Sequence, residues 1–231
     1  RRGAAAICWD LTAFFDTVLL VILIARARSM GYPPRHLLLS LLVHLAPRVL
    51  NSGIDGIDPE PVTVSSSILA GLCDSVALTR ALLRPTLTTV RTLFPLAAPE
   101  SYVDDMAQVV VADNDQTVLR LNLPAAAALA AHLDGAGGII SEKSVIVASS
   151  RSLALRVRAE LRSATGLCLR TAGVVRDLGV DLTLGTRRRI PTMVARQAAA
   201  RRRATRVGRM AKVFRGARRL ALSGVRQQQG W

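Results

Sequence analysis

Two adjacent aspartates, Asp104 and Asp105, interrupt the apolar run SYVDDMAQVVVAD, and a third, Asp10, closes the shorter apolar run AICWD. Neighbouring like charges are costly inside a buried strand. A hairpin tip exposes them, and the strand-like residues on either side predict such a tip at the pair. Side chains alternate along a continuous strand, which would put Tyr102 with Asp104 and Val103 with Asp105, so the two carboxylates converge only where the chain turns. Two close carboxylates repel unless a cation neutralises them. Mg²⁺ suits them, a hard ion that takes carboxylate and phosphate oxygens while keeping water. If Asp10 ends a strand beside the pair, Asp10, Asp104 and Asp105 can hold two ions about 3.5 to 4 Å apart, the arrangement used for in-line phosphoryl displacement. A lone Asp-Asp pair is more often an exposed turn.

The elements that would position these residues alternate between strand and helix patterns. AICWDL reads as a short buried strand, and Val18 to Ala27 as a helix stopped at GYPP, where Pro33 and Pro34 can start another through RHLLLSLLVHL. A strand is expected near Arg48 to Leu50, then a loop or wide hairpin in NSGIDGIDPEP, and strand again in VTVSSSIL. Gly71 to Leu93 suits a helix, and so does Asp113 to Leu133, with Pro124 a kink or an end. Asp113 and Asp115 fall where helix capping explains them. KSVIVAS gives a strand, Ser152 to Ser163 a helix, and LCLRTAGVVRDLGVDLTL further short strands. The residues from Pro191 to Leu222 read as an Ala- and Arg-rich helix. Strands interleaved with helices predict an α+β or α/β body, with a basic helical appendage.

Composition narrows the partners. Half of the 231 residues are hydrophobic but only 3% are aromatic, so Leu, Val and Ala must fill the core. The net charge is +15, and residues 182 to 231 carry 13 arginines, Lys212 and no acid, while the first 181 residues hold 17 bases against 16 acids. A solvated helix face normally interleaves Glu partners. Their absence favours phosphate backbones as the partner, with anionic membranes less common. Cys8, Cys73 and Cys168 are widely separated, which fits neither a disulfide framework nor paired zinc ligands, and implies a reducing, intracellular setting. The longest apolar run, Val18 to Ala25, is far short of the roughly 20 residues that span a bilayer, so no membrane partner is expected. RRGAAAICWD reaches Asp10 too early for a secretory leader and is expected to enter a domain midway. His36, His44 and His132 share no spacing and are read as packing or surface residues.

YVDD between apolar strands, preceded by WDLTAFFDTV, resembles the palm of reverse transcriptases, the RNA-directed DNA polymerases. Gly71 and Ser75 in LAGLCDS are similar to the glycine and serine of the block that opens the template-contacting helix. GGIISEKSVIV resembles the next block and puts Lys143 at its lysine. DLGVDL is similar to the primer-grip turn, with Leu178, Gly179 and Val180. The order and spacing look most like non-LTR retrotransposon enzymes.

The resemblance implies an α+β fold with a polymerase-type palm, an antiparallel sheet backed by helices, over residues 1–185, and an incomplete, basic, thumb-like helical segment over 186–231. It implies RNA-templated DNA synthesis by two-metal nucleotidyl transfer. Asp10, Asp104 and Asp105 would be catalytic metal ligands for two Mg²⁺ ions, with Mn²⁺ as a substitute. Lys143 would act on the departing pyrophosphate, as a charge or a proton donor. Phe15 would exclude a 2′-hydroxyl, with core packing as its alternative role, and Asp16 reads as a cap or turn residue. Gly71, Ser75 and Tyr102 would contact substrate. The partners implied are an RNA template, a DNA primer and deoxynucleoside triphosphates.

Arg187, Arg188, Arg189, Arg196, Arg201, Arg202, Arg203, Arg206, Arg209 and Lys212 would contact nucleic-acid phosphates without reading sequence; the same basic run can act as a nuclear localisation signal. The chain departs from the family at Ala70, where a glutamine is usual, and fingers are expected upstream of Asp10, so a piece of a longer protein is expected. Two alternatives stand beside polymerase activity: a catalytically inactive, basic nucleic-acid-binding remnant, and a two-metal nuclease with the same acids.

Overall fold

The run GAAAICW forms the first strand, β1 (Gly3–Trp9), which lies at the centre of a five-stranded sheet. The computed structural model describes residues 2–48, 61–64, 66–177, 180–185 and 190–211. The chain divides into two units, Arg1–Gly173 and Val174–Trp231, so the expected boundary at 185/186 falls within the second. The first unit is an α+β body. Its strands β1, β2 (Pro99–Tyr102), β3 (Asp105–Ala112), β4 (Val145–Ala148) and β5 (Arg170–Ala172) are ordered β2-β3-β1-β4-β5. Neighbours are antiparallel except for the parallel β4–β5 pair, so the sheet is mixed.

Helices α1 (Phe14–Thr17), α2 (Leu20–Ser29), α3 (Pro34–Leu45) and α4 (Ser75–Leu93) lie between β1 and β2, and a 3₁₀ turn, Pro95–Ala97, precedes β2. Helix α5 (Asp115–Asp134) joins β3 to β4, and α6 (Arg151–Thr165) joins β4 to β5. Strands β1 and β2 run the same way but are separated by β3; β3 and β4 run the same way but are separated by β1. Two split βαβ units are thereby interlocked.

Helix α5 packs on β1 and β3 and touches α4 and α6, while α6 covers β4 and β5. The side chain of Gln108 donates to the backbone oxygen of Asn122 on α5 at 2.9 Å, which fixes the face of β3 that meets the helices. By alternation and pairing, Met106, Gln108 and Val110, with Trp9, Ile7 and Ala5 opposite them in turn, point to that face. Asp105, Ala107, Val109 and Val111 point to the other. On α6, the fully buried Leu153, Val157 and Leu161 recur every four residues, one helical face whose members each contribute about 2 kcal/mol by leaving water. Ser150 caps this helix by accepting the Leu153 N–H at 3.1 Å, and Gly166 ends it at φ 77°, a left-handed conformation natural to glycine.

Some sequence expectations change. Among its described residues, VTVSSSIL forms no strand beyond a single bridge between Val62 and Arg48. Instead, Ser67 and Ile68 donate their N–H groups to Val18 and Phe15 at 3.0 and 2.8 Å, so the segment lies as a loop against the α1–α2 connection. Pro124 lies inside the 20-residue α5 and does not end it. The capping residue of α5 is Asn114, whose side chain accepts the Thr117 N–H at 2.8 Å, with Asp115 in the first turn. Residues 49–60 lie outside the described residues.

In the second unit, β6 (Val175–Asp177) and β7 (Val180–Leu182) pair antiparallel, and α7 (Pro191–Ala211) packs on β7. Asp181 accepts the backbone N–H groups of Thr192, at 2.9 and 3.1 Å, and Met193, at 3.3 Å. Desolvation pushes its pKa up, but these bonds, the Thr192 side chain and nearby Arg196 prevail and hold it below the usual carboxylate value. The acid thus satisfies the free donors at the start of an otherwise basic helix.

His44 on α3 is fully buried, and its Nδ1 accepts the Leu69 N–H at 2.9 Å. Burial lowers its pKa below the ordinary 6.5 against the raising influence of Asp74, and Arg48 lowers it further. A depressed folded pKa means that the stabilisation is present above the unfolded value and is lost as pH falls from there through the folded one. Melting temperature is therefore expected to drop as pH falls through and below the ordinary 6.5, and that of His44→Gln, whose amide oxygen can take the same N–H, to drop less. An equal drop in both proteins would remove His44 as a source of the acid sensitivity.

Candidate active site

Only Val103 and Asp104 separate β2 from β3, and Tyr102 pairs with Asp105 across this turn. Val103 adopts φ 59° while Asp104 keeps a negative φ. Positive φ at the first central position alone is the pattern of a type II′ hairpin turn, where glycine is usual. A β-branched residue there costs about 1–2 kcal/mol, and such strain persists where the surrounding structure over-determines it. The turn also changes which side chains are neighbours. Tyr102 shares its side of the sheet with Asp105, not with Asp104 as on a continuous strand.

The β1–β3 register decides where Asp10 goes. Trp9 opposes Met106, so the next residue along β1, Asp10, comes opposite the preceding residue of β3, Asp105. Trp9 and Met106 face the helices; Asp10 and Asp105 therefore lie towards the opposite face. Asp10 and Asp104 are half-buried and Asp105 is exposed.

The backbone of Asp10 is held on both sides by one hydroxyl. Its N–H donates to Ser144 Oγ at 3.0 Å, and its carbonyl accepts from the same Oγ at 3.2 Å and from the Ser141 N–H at 2.8 Å. Ser144 is fully buried. Leu11 bridges to Ile140, and Thr12 donates its N–H to Ile139 at 2.8 Å, so the segment leading into β4 runs beside the end of β1. Lys143 belongs to that segment. Its N–H donates to Ser141 Oγ at 3.1 Å and its carbonyl accepts from Arg170 at 3.3 Å, with the side chain exposed. One end of the sheet thus gathers Asp10, Asp104, Asp105 and Lys143. Ser144 escaped the sequence reading because a serine ahead of an apolar strand carries no distinguishing signal.

Other candidate residues lie in varied settings. Phe15 is half-buried against the core and meets Phe14 edge-to-face, with ring centroids 5.4 Å apart. Asp16 is exposed in the first turn of α1. Gly71 has φ 87°, which its lack of a Cβ permits. Ser75 is buried and donates its hydroxyl to the Leu69 carbonyl, which ties down the start of α4. Tyr102 is 67% exposed.

Leu178, Gly179, Arg187, Arg188, Arg189 and Lys212 lie outside the described residues; the backbone of Val180 is in β7. On α7, Arg196 is half-buried, and Arg201, Arg202, Arg203, Arg206 and Arg209 are exposed. Consecutive arginines there point about 100° apart, around the helix.

Three carboxylates are donors of the kind that Mg²⁺ or Mn²⁺ accepts. Among the described residues, no group of three or more His, Cys, Asp or Glu side chains is arranged to hold a metal ion. The backbone thus supplies the convergence, and the side chains do not close it into a ligand set. No helix among the described residues is long and apolar enough to cross a membrane. No family model matches the chain, and no curated protein matches it significantly.

Two substitutions test this geometry. Val103→Gly relieves the strained φ at the cost of a more flexible unfolded chain, and is expected to raise stability by about 0.5–1 kcal/mol in chemical denaturation. Ser144→Ala leaves the Asp10 N–H without its partner and is expected to cost about 1–3 kcal/mol in the same assay. No loss would show that the serine does not hold the strand end.

Proposed function

We propose that the chain is the palm, residues 1–185, and part of a thumb-like segment, 186–231, of a reverse transcriptase that copies RNA into DNA, of the non-LTR retrotransposon kind. The observation that carries this reading is the β1–β3 register, with Trp9 opposite Met106, whose continuation puts Asp10 opposite Asp105, with Asp104 in the adjoining turn and Lys143 at the head of the neighbouring strand. The interlocked βαβ topology, with its carboxylates at one sheet end, supports it as a palm. In the reaction, the primer's 3′ oxygen forms a bond to the α-phosphorus of a deoxynucleoside triphosphate as the bond to pyrophosphate breaks.

Asp10, Asp104 and Asp105 would hold two Mg²⁺ ions, or Mn²⁺ in their place. When bound, such ions activate the attacking oxygen and neutralise the leaving one. Lys143, just ahead of β4, would stabilise or protonate departing pyrophosphate. Phe15 would wall the sugar site against a 2′-hydroxyl, Gly71, Ser75 and Tyr102 would shape the substrate side, and Leu178, Gly179 and Val180 would support the primer. The α7 arginines would hold the RNA–DNA duplex by its phosphates, with steep salt dependence. The setting is intracellular, with the basic tail suited to nuclear entry.

A second reading, a nucleic-acid-binding remnant without catalysis, is favoured by Ala70 in place of the family's glutamine and by the open arrangement of the carboxylates. Primer extension on an RNA template with Mg²⁺ separates the two. The polymerase reading expects incorporation by the wild type and a loss of about 100-fold or more in Asp104→Asn. Equal incorporation by both proteins would contradict it, and none by either would favour the remnant.

A further inference from the structure

Helix α3 turns its polar residues inwards and its leucines out. Leu37, Ser40 and His44 fall within about 60° of one another around the helix, and all three are buried. Ser40 donates its hydroxyl to Asp74 Oδ2 at 2.7 Å and His44 accepts the Leu69 N–H, so these contacts fix which way the helix faces. The opposite side, spanning about 140°, consists of Leu38, Leu39, Leu42 and Val43. Each is between 51% and 61% exposed, where a surface helix would carry charged residues. With Leu45 beside them, they leave about 500 Å² of apolar surface open, as much as the largest patch on a typical monomer.

We infer that this face joins two copies of the chain, α3 packed antiparallel on α3 about a twofold axis. The face is complementary to itself. An axis between residues 40 and 41 puts Leu38 opposite Val43, Leu39 opposite Leu42 and Arg35 opposite Ala46 of the other copy, and the same contacts recur with the copies exchanged, as an isologous interface requires. The rows Leu38–Leu42 and Leu39–Val43 have the four-residue spacing whose ridges interlock between crossing helices. Charge selects the antiparallel arrangement. Arg35 stands in the first turn of α3, in line with the middle of the apolar face. The dipole of its own helix disfavours a cation there, whereas the last carbonyls of an antiparallel copy favour one. Within one chain Arg48 reaches the His44 carbonyl at 3.5 Å, the same attraction at the same helix end. A parallel pair would set Arg35 against Arg35, and α3 contains no acid to separate them. Two such faces together cover about 1,000 Å², the area that a specific interface needs. A helix lying on a membrane carries a polar face rich in Lys and Arg; the other side of α3 is buried and carries Ser40 and His44 instead. Nothing in this pairing requires the carboxylates or a nucleic acid.

Sedimentation equilibrium of the full chain, freed of nucleic acid and held at about 0.1 M salt, tests this. A monomer–dimer equilibrium is expected between about 1 and 100 μM. The double variant Leu39→Glu, Leu42→Glu, checked for wild-type circular dichroism, should stay monomeric over that range. Arg35→Glu should raise the dimer dissociation constant about 5-fold or more, while the melting temperature of the dilute monomer holds or rises, because an acid suits the start of its own helix. A wild type that is monomeric throughout, a dimer that survives the leucine substitutions, or one that Arg35→Glu leaves unchanged or tightens would overturn the antiparallel pairing. So would a monomeric chain that binds phosphatidylserine vesicles through the same two leucines.

Discussion

The antiparallel pairing of β1 with β3 is the constraint from which the site follows. With Trp9 opposite Met106, Asp10 has to leave β1 beside the first residue of β3. A shift of one residue would turn every side chain of the strand over, sending the carboxylate towards the helices and the apolar residues to the open face. The core therefore protects the register. Ile7 and Trp9 need the helix-covered side, and by satisfying that need they commit Asp10 to the other. Charges that would be costly in the interior are kept out of it by the packing of their immediate neighbours.

Two local devices refine that placement. Ser144 engages both backbone groups of Asp10, coupling the end of β1 to the start of β4 and hence to Lys143. The strained turn at Val103 makes the β2–β3 connection as short as a hairpin allows, so that Asp104 and Asp105 follow Tyr102 without an intervening loop. On the other side of the sheet, the hydrogen bond from Gln108 to Asn122 fixes α5 against β3. That pair is buried, and Gln108 Oε1 and Asn122 Nδ2 have no partner among the described residues, a desolvation cost that the surrounding apolar contacts offset.

Much of this was legible in the sequence because apolar periodicity reports burial directly. α4, α6 and the hairpin around the twin aspartates lie close to where their patterns put them, while β1 begins three residues before AICWDL and stops at Trp9, so that Asp10 follows the strand next to that hairpin. What stayed hidden depends on partners distant in the chain. VTVSSSIL has strand propensity, yet the N–H groups of Ser67 and Ile68 find acceptors in Val18 and Phe15 instead of a neighbouring strand. The Ser144 clamp spans more than a hundred residues of sequence, and no local pattern distinguishes that serine. Leu38, Leu39, Leu42 and Val43 had a readable helical spacing; that they face outwards while Ser40 and His44 are buried became visible only in the fold.

For these roles Asp10 and the twin aspartates must form one cation-binding locus. Paramagnetic broadening of backbone amide resonances on titration with Mn²⁺ tests this without requiring turnover. Joint, early broadening at Asp10, Asp104 and Asp105, reversed by excess Mg²⁺, is the expected result. Broadening at the hairpin that leaves Asp10 sharp, or a first effect elsewhere in the chain, would contradict it.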